Sequence, residues 1–299
     1  DIPDTIRFLR FPPTALVGRH QDLSKEVDLE HCRANDIGVA RRITGGGAIY
    51  FDPGQLGWEL VFQRGTFAFP DLGAAARAIC EAAAAGISEL GVDTRYRPRN
   101  DIEVDGRKLC GTGGFYDGDV MFYQGTLLID MNPADMIAAL NVPEAKLAKR
   151  NLDDAGQRIV TLRELLGDDL PDLTVLQAAI LSGFRDHLNV DINFLEPSIV
   201  ELSLADQLHD DEIGTQAFVE AINAPDSDGD VLSANHAGPG GTVTAYLRLE
   251  GPTDARIREV LITGDFFVAP PRTIFDLESR LRGIVVTEIA DTVDAFFTE

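Results

Sequence analysis

Three consecutive glycines interrupt the stretch RRITGGGAIYFD, residues 41–52, directly behind two arginines. Glycine loses more conformational freedom on ordering than any other residue, so Gly45, Gly46 and Gly47 are expected in a turn rather than inside a helix or strand. Gly38, Val39 and Ala40 read as a strand leading in, and AIYF continues as a second β-type run. The triplet does not open a helix, which argues against a dinucleotide-binding fingerprint, and the sequence holds no GxxxxGK[ST] loop. By itself the cluster fits a plain turn, or backbone N–H groups turned toward an anion that approaches with no Cβ in its way. Arg41 and Arg42 favour the second reading, because a guanidinium beside such a nest suits a phosphate or a carboxylate.

Short runs punctuated by Gly and Pro surround this motif. Residues 6–11 and 14–19, split by Pro12 and Pro13, alternate like two strands and suggest a hairpin. Residues 23–35 fit a helix loosely, and 56–62 read as a strand. The most helical stretch is 71–90, with Asp71 as N-cap, an apolar stripe through Leu72, Ala76, Ile79, Ala83 and Ile87, and Gly91 as a stop. Strands follow at 102–104, 108–110 and 120–129, the first two joined by the hairpin signal Asp105-Gly106. Helices are expected at 133–140, 161–166, 173–188, 198–208 and 211–222. Residues 225–241 are rich in Gly, Pro and Asp and make the best linker candidate. Beyond them a strand, strand, helix unit is expected, closed by a last helix near 287–297.

Composition narrows the function classes. With 299 residues the chain can form one large domain or two unequal ones, at roughly 150 residues per domain. A formal charge of −23 argues against a nucleic-acid partner, since phosphate-backbone binders are basic over the contacting face. No apolar run approaches the ~18 residues of a membrane span, and DIPDTIRF has no signal-like character, so a cytoplasmic location is expected. Cys32, Cys80 and Cys110 are odd in number and contain no CxxC pair, which indicates neither a disulfide framework nor a zinc site. The histidines form no HxH or HExxH pattern.

A second constellation is RNDIEVDGRKLCGTGG, residues 99–114. Most lysines are solvent-facing, and Lys108 fits that reading. It is also one of only four lysines, placed between a tight turn and the glycine-rich run at Gly111, Gly113 and Gly114. Charge stabilisation on an acyl phosphate needs a fixed compact cation of this kind. The RYRPR run at 95–99 reads either as a solvated loop or as a basic lip.

Taken together, RRxxGGGAxxxD, then RND, then DGRKxxG, then GTLLID at 125–130, resemble the lipoate-protein ligase family. GDFF at 264–267, followed by a helical stretch ending LRG at 281–283, is similar to the family's small accessory domain. The resemblance implies an α/β (α+β) fold: a mixed-sheet catalytic domain like that of class II aminoacyl-tRNA synthetases and biotin synthetases over residues 1–225, and a small α+β domain over 240–299. It implies that ATP and lipoate form lipoyl-AMP, with Mg²⁺ accompanying the nucleotide, and that the acyl group passes to a lysine of an apo lipoyl-domain protein. That acceptor would be a 2-oxoacid dehydrogenase acyltransferase subunit, a glycine-cleavage carrier or another lipoyl-bearing protein.

Carried over by motif, Arg42 and the segment Gly45, Gly46, Gly47, Ala48, Ile49 and Tyr50 would contact the nucleotide. Asn100 and Asp101 would assist the phosphates, with Asp101 near Mg²⁺, and Lys108 would be the catalytic cation touching the acyl carbonyl and the α-phosphate. The chain departs from the family at Phe51, where relatives often carry His, at Gln124 in place of His before Gly-Thr, and at Cys110 in place of Ser. The family pattern also places a strand and a long helix upstream of Ile6, so a further polypeptide or segment is expected to complete that face. The rivals are an octanoyl or lipoyl amidotransferase of the same fold working through a cysteine thioester, a biotin ligase, and a non-catalytic lipoyl-binding protein.

Overall fold

The computed structural model describes residues 3–98, 100–141, 158–225, 230–251, 255–268 and 270–298. Its strands are β1 Thr5–Leu9, β2 Thr14–Val17, β3 Gly38–Arg41, β4 Ile49–Phe51, β5 Gln55–Gln63, β6 Arg95–Arg97, β7 Asp101–Val104, β8 Arg107–Asp117, β9 Val120–Leu128, β10 Val231–Gly238, β11 Gly241–Glu250 and β12 Arg256–Gly264. The chain divides into two compact units. One comprises Asp1–Thr14, Phe51–Ala138 and Val142–Ile199, and the other Ala15–Tyr50, Ala139–Asn141 and Val200–Glu299. The domain division implied by the resemblance, 1–225 and 240–299, runs along the sequence, whereas these contact units interleave.

The first unit is built on a six-stranded sheet in the order β1-β5-β9-β8-β7-β6, antiparallel at each pairing. A parallel bridge from Lys108 to Ile159 adds a contact of the other sense. The expected β1–β2 hairpin does not form: β1 pairs with β5, Phe8 opposite Trp58, while β2 lies between β3 and β4. Pro12 and Pro13, which lack the N–H that a ladder needs, carry the chain from one sheet to the other.

The helix Leu72–Ser88 begins where Asp71 accepts a hydrogen bond from the Ala74 amide, and it packs against β6, β7, β8 and the helix Leu173–Leu188. Trp58, Leu60, Ile79, Ile102, Leu109, Tyr123, Leu127 and Phe184 belong to the buried core, which excludes water from behind the β7–β8 hairpin. Trp58 lies so close to Gly125 that a Cβ there would stand 2.1 Å from the indole ring.

In the second unit β3, β2 and β4 form one small sheet, and β10, β11 and β12 form another. The helix Thr273–Leu281 lays Ile274, Leu277 and Leu281 on Ile257, Val260 and Ile262 of β12. The expected linker at 225–241 is a correction: Val231–Gly238 pairs with β11 along its whole length, from Val231↔Arg248 to Gly238↔Gly241. This edge strand is almost entirely exposed, so it needs no alternating apolar pattern and its polar composition concealed it. Residues 226–229 of that stretch lie outside the described residues.

Two helical expectations are also redrawn. Residues 23–35 form two short helices, Leu23–Glu26 and Leu29–Ala34, capped separately by Asp22 and Asp28. Residues 211–222 hold the end of a π-helical turn, His209–Ile213, then the short helix Gln216–Val219 capped by Thr215, with Gly214 dividing them.

Candidate functional site

The glycine motif belongs to the second unit, and there its two arginines have different jobs. Arg41 is buried and donates to six backbone carbonyls, those of Gly18, Arg19, Gln21, Phe218, Val219 and Ile222, at 2.7 to 3.4 Å. Burial, and then the neighbouring Arg19, pull its pKa down to about 10, so it stays charged at neutral pH. With its donors committed to the scaffold, Arg41 is a structural residue.

Arg42 instead clasps the loop itself. Its Nε donates to Thr44 Oγ1 at 3.0 Å, and one terminal nitrogen donates to the Leu16 carbonyl at 3.2 Å. The other donates to the carbonyls of both Gly45 and Gly47 at 2.7 Å. Burial draws its pKa to about 10 as well. Among the described residues no carboxylate pairs with Arg42, so its positive charge is uncompensated beside the loop.

The glycines are filled in part by the protein's own chain. The Gly46 amide donates to the Phe266 carbonyl at 3.0 Å, and Gly46 adopts φ +91°. A Cβ on Gly45 would stand 2.3 Å from the Phe266 carbonyl oxygen, and one on Gly46 would stand 2.6 Å from the Phe267 ring. At these two positions the close approach that the absence of a side chain permits is made by the protein's own chain. Gly47 is exposed, Ala48 and Ile49 are half-buried, and Tyr50 is buried.

The hairpin motif belongs to the first unit. Asp105 at φ 50° and Gly106 at φ 80° form its two-residue turn, flanked by the pair Val104↔Arg107. Beyond Glu103↔Lys108 the register shifts, and the next pair is Ile102↔Cys110. Leu109 is the extra residue of a β-bulge. Without it, Lys108 and Gly111, three apart, would point to opposite faces of the strand. With it, Leu109 and Cys110 are both buried and the Lys108 side chain runs across Gly111, where a Cβ would meet Nζ at 2.5 Å.

Lys108 Nζ stands 2.9 Å from Asp101 Oδ1 as an ion pair. The other oxygen, Oδ2, accepts from Arg97 at 2.5 Å. Asp101 Oδ1 is buried and accepts no hydrogen bond, its one close cation being Lys108, and no cluster of three or more metal-ligating side chains exists among the described residues.

Asn100 is tied to Thr112 three ways: Thr112 N to Asn100 O at 2.8 Å, Thr112 Oγ1 to Asn100 O at 3.0 Å, and Asn100 Nδ2 to Thr112 O at 2.8 Å. Thr112 in turn meets the buried Tyr123 hydroxyl at 2.7 Å. The basic run at 95–99 is not a free lip: Arg95 pairs with Asp93, and Arg97 turns to Asp101 and Glu103, while Arg99 lies outside the described residues.

Sequence reasoning missed Arg97, Gly111 and Phe267 as neighbours of the motif residues. Each lies in a stretch the sequence singled out, RYRPR, the glycine run and GDFF, but its partner is set by strand pairing, a bulge or a long-range contact. All three cysteines are buried, and burial raises the thiol pKa of each, most strongly at Cys110. None is poised to act as a nucleophile.

Comparison with known proteins identifies the family and the fold. A family model described as the lipoyl protein ligase A/B catalytic domain matches residues 1–185. Lipoate-protein ligase LplJ of Bacillus subtilis is 29% identical over 176 residues, 59% of this chain and 49% of that protein. The chain thus spans about half the length of that curated relative.

Among solved structures, the archaeal bi-partite lipoate protein ligase of Thermoplasma acidophilum matches with a TM-score of 0.66 and 25% identity, covering 74% of this chain and 86% of that one. P. falciparum LipL1 shares the fold over 98% of this chain and 81% of its own, with a TM-score of 0.73 and 17% identity. Matched by that family model over residues 1–185, more than half its length, and sharing the mixed α/β fold of these ligases, the chain belongs to the lipoyl protein ligase A/B catalytic domain family.

Proposed function

We propose that the protein is an ATP-dependent lipoate-protein ligase that activates lipoate or octanoate to acyl-AMP and passes the acyl group to a lysine of a lipoyl-domain protein. In the first step the substrate carboxylate attacks the α-phosphorus of ATP and pyrophosphate leaves. In the second the acceptor amine attacks the acyl carbonyl and AMP leaves. Both steps gather negative charge on oxygen, so the site must supply fixed positive charge and N–H donors.

The observation that carries the reading is Lys108, a half-buried ammonium set by a β-bulge across a residue with no side chain. A compact cation on a rigid hairpin stabilises charge on the acyl carbonyl and the α-phosphate without becoming a nucleophile. Arg42, with Gly47, Ala48, Ile49 and Tyr50, is assigned to the nucleotide, and Asn100, pinned by Thr112, to the phosphates. Mg²⁺ is expected to enter with ATP as part of the substrate. The acceptor assignment draws support from the Thermoplasma relative, described together with its E2 lipoyl domain. Among the described residues no helix is long and apolar enough to cross a membrane, in keeping with the proposed cytoplasmic site of action.

Buried cysteines with raised thiol pKa values argue against the thioester route of an amidotransferase. The test is pyrophosphate release from ATP and Mg²⁺ with lipoate, octanoate or biotin, followed by the mass of a lipoyl-domain acceptor. Release driven by lipoate or octanoate is expected, and Lys108→Ala lowers it by ~10²-fold or more. Release driven only by biotin, or unaffected in that variant, would overturn the assignment.

A further inference from the structure

Arg97 lies outside the motifs that mark the family, yet it holds the carboxylate on which Lys108 rests. Its guanidinium reaches Asp101 Oδ2 at 2.5 Å, Glu103 Oε2 at 3.2 Å and the Gly106 carbonyl at 3.1 Å. Arg97 and Asp101 are cross-strand partners of β6 and β7, so the contact is built into the ladder. Asp101 is therefore shared between two cations, Arg97 on one oxygen and Lys108 on the other.

This sharing matters because Lys108 must serve two partners. Before substrate arrives its ammonium pairs with Asp101, whose side chain is only 17% exposed. During adenylation it must follow the acyl carboxylate and the α-phosphate. Were Asp101 compensated by Lys108 alone, that departure would strand a largely buried carboxylate, which is strongly unfavourable. Arg97 is anchored by Glu103 and Gly106 and cannot follow, so it remains to compensate Asp101.

Resting on the ligase reading above, we propose that Arg97 is a positioning residue for adenylation: it keeps Asp101 paired, so that the Lys108 ammonium is free to move onto the reacting acyl and phosphate oxygens. Arg97 touches no reacting atom in this scheme. Its planar fork suits the task, since it serves a carboxylate and a backbone carbonyl at once.

The experiment uses the full chain with ATP, Mg²⁺ and lipoate or octanoate. Arg97→Gln is expected to lower kcat for pyrophosphate release about tenfold or more, with KM for ATP changed much less. Arg97→Lys restores part of the loss, because an ammonium can still pair with Asp101. Arg95→Gln removes the same charge from the same strand without touching Asp101, and leaves kcat unchanged. A second readout is independent of turnover: acetylation of Lys108 by an amine-reactive ester, followed by mass spectrometry with Lys25 as reference. In Arg97→Gln this slows by about threefold or more, because an unshared Asp101 holds the Lys108 ammonium more tightly in the ion pair.

Equal losses in the Arg95 and Arg97 variants, or unchanged Lys108 acetylation, would overturn the inference. An active wild type with a fully active Arg97→Gln overturns it alone and leaves the ligase reading standing. A wild type that releases no pyrophosphate with either acid overturns the ligase reading, and the role in adenylation with it.

Discussion

At the scale of single residues, the proposed site depends on what is missing at Gly111 as much as on Lys108. A Cβ there would fall 2.5 to 2.6 Å from the end of the Lys108 side chain, with no backbone atom among its near contacts. The end of a flexible side chain can move aside. Gly111→Ala is therefore expected to leave stability within about 0.5 kcal/mol of wild type while closing the track across residue 111 along which the Lys108 side chain runs. Misplacement of a catalytic group by an ångström can cost up to ~10²-fold, so adenylation should fall sharply while the denaturant midpoint holds. A variant with normal turnover would show that Lys108 does not reach the reacting atoms across this position. Lys108 itself was legible from its scarcity and its position between a turn and a glycine run. Gly111 was not, because the bulge at Leu109 that brings the two together comes from strand pairing and has no local signature. The arginine doublet was half legible: charge pointed to both members, but only packing shows that Arg41 is committed to six carbonyls and Arg42 to the loop.

At the scale of elements, the glycine loop and the segment Gly264, Asp265, Phe266 and Phe267 form one packed piece. The Gly46 amide is spent on the Phe266 carbonyl, and Phe267 covers the position a side chain would take. Gly46→Val must adopt φ +91° with a β-branched side chain and push the Phe267 ring aside. The expected loss is at least ~1–2 kcal/mol of folding stability, seen by urea unfolding with no nucleotide present. Unchanged unfolding with a selective loss of ATP affinity would restore ligand approach as the sole reason for the glycine. Elements with strong local signals were readable, as with the Asp71-capped helix Leu72–Ser88 and the Asp105-Gly106 turn. Strand β10 was not, since it lies at an edge with little to bury, and composition there reports solvent exposure rather than pairing.

At the scale of the whole molecule, the segment Ala15–Tyr50 folds with Val200–Glu299 rather than with its sequence neighbours. That interleaving is carried by long-range contacts such as the bond from the Gly264 amide to the His20 carbonyl, which no window of sequence contains. His20 is fully buried between Phe266 and Phe275, with ring centroids at 5.3 and 5.4 Å, and beside Arg19 and Arg41. Burial first, and then these arginines, lower its pKa to about 4. The folded state therefore binds a proton less readily than the unfolded chain, whose histidine titrates near ~6.5. The stability that depends on neutral His20 is present above that value and is lost as pH falls toward 4, by on the order of 3 kcal/mol. His20→Phe should flatten this part of the pH–stability curve in urea unfolding between pH 7 and 4. An unchanged slope would assign the acid sensitivity to other groups.

The packing of Trp58 against Gly125 has an optical consequence. Trp58 is the chain's single tryptophan, flanked by Tyr123 and Phe184 at 6.3 and 5.5 Å, and it lies in the first unit alone. Its emission is a native fluorophore signal for one half of the molecule and is silent about the other. A fluorescence-detected melt overlaid on a far-ultraviolet dichroism melt would then show, without any label, whether the two halves of the protein come apart together.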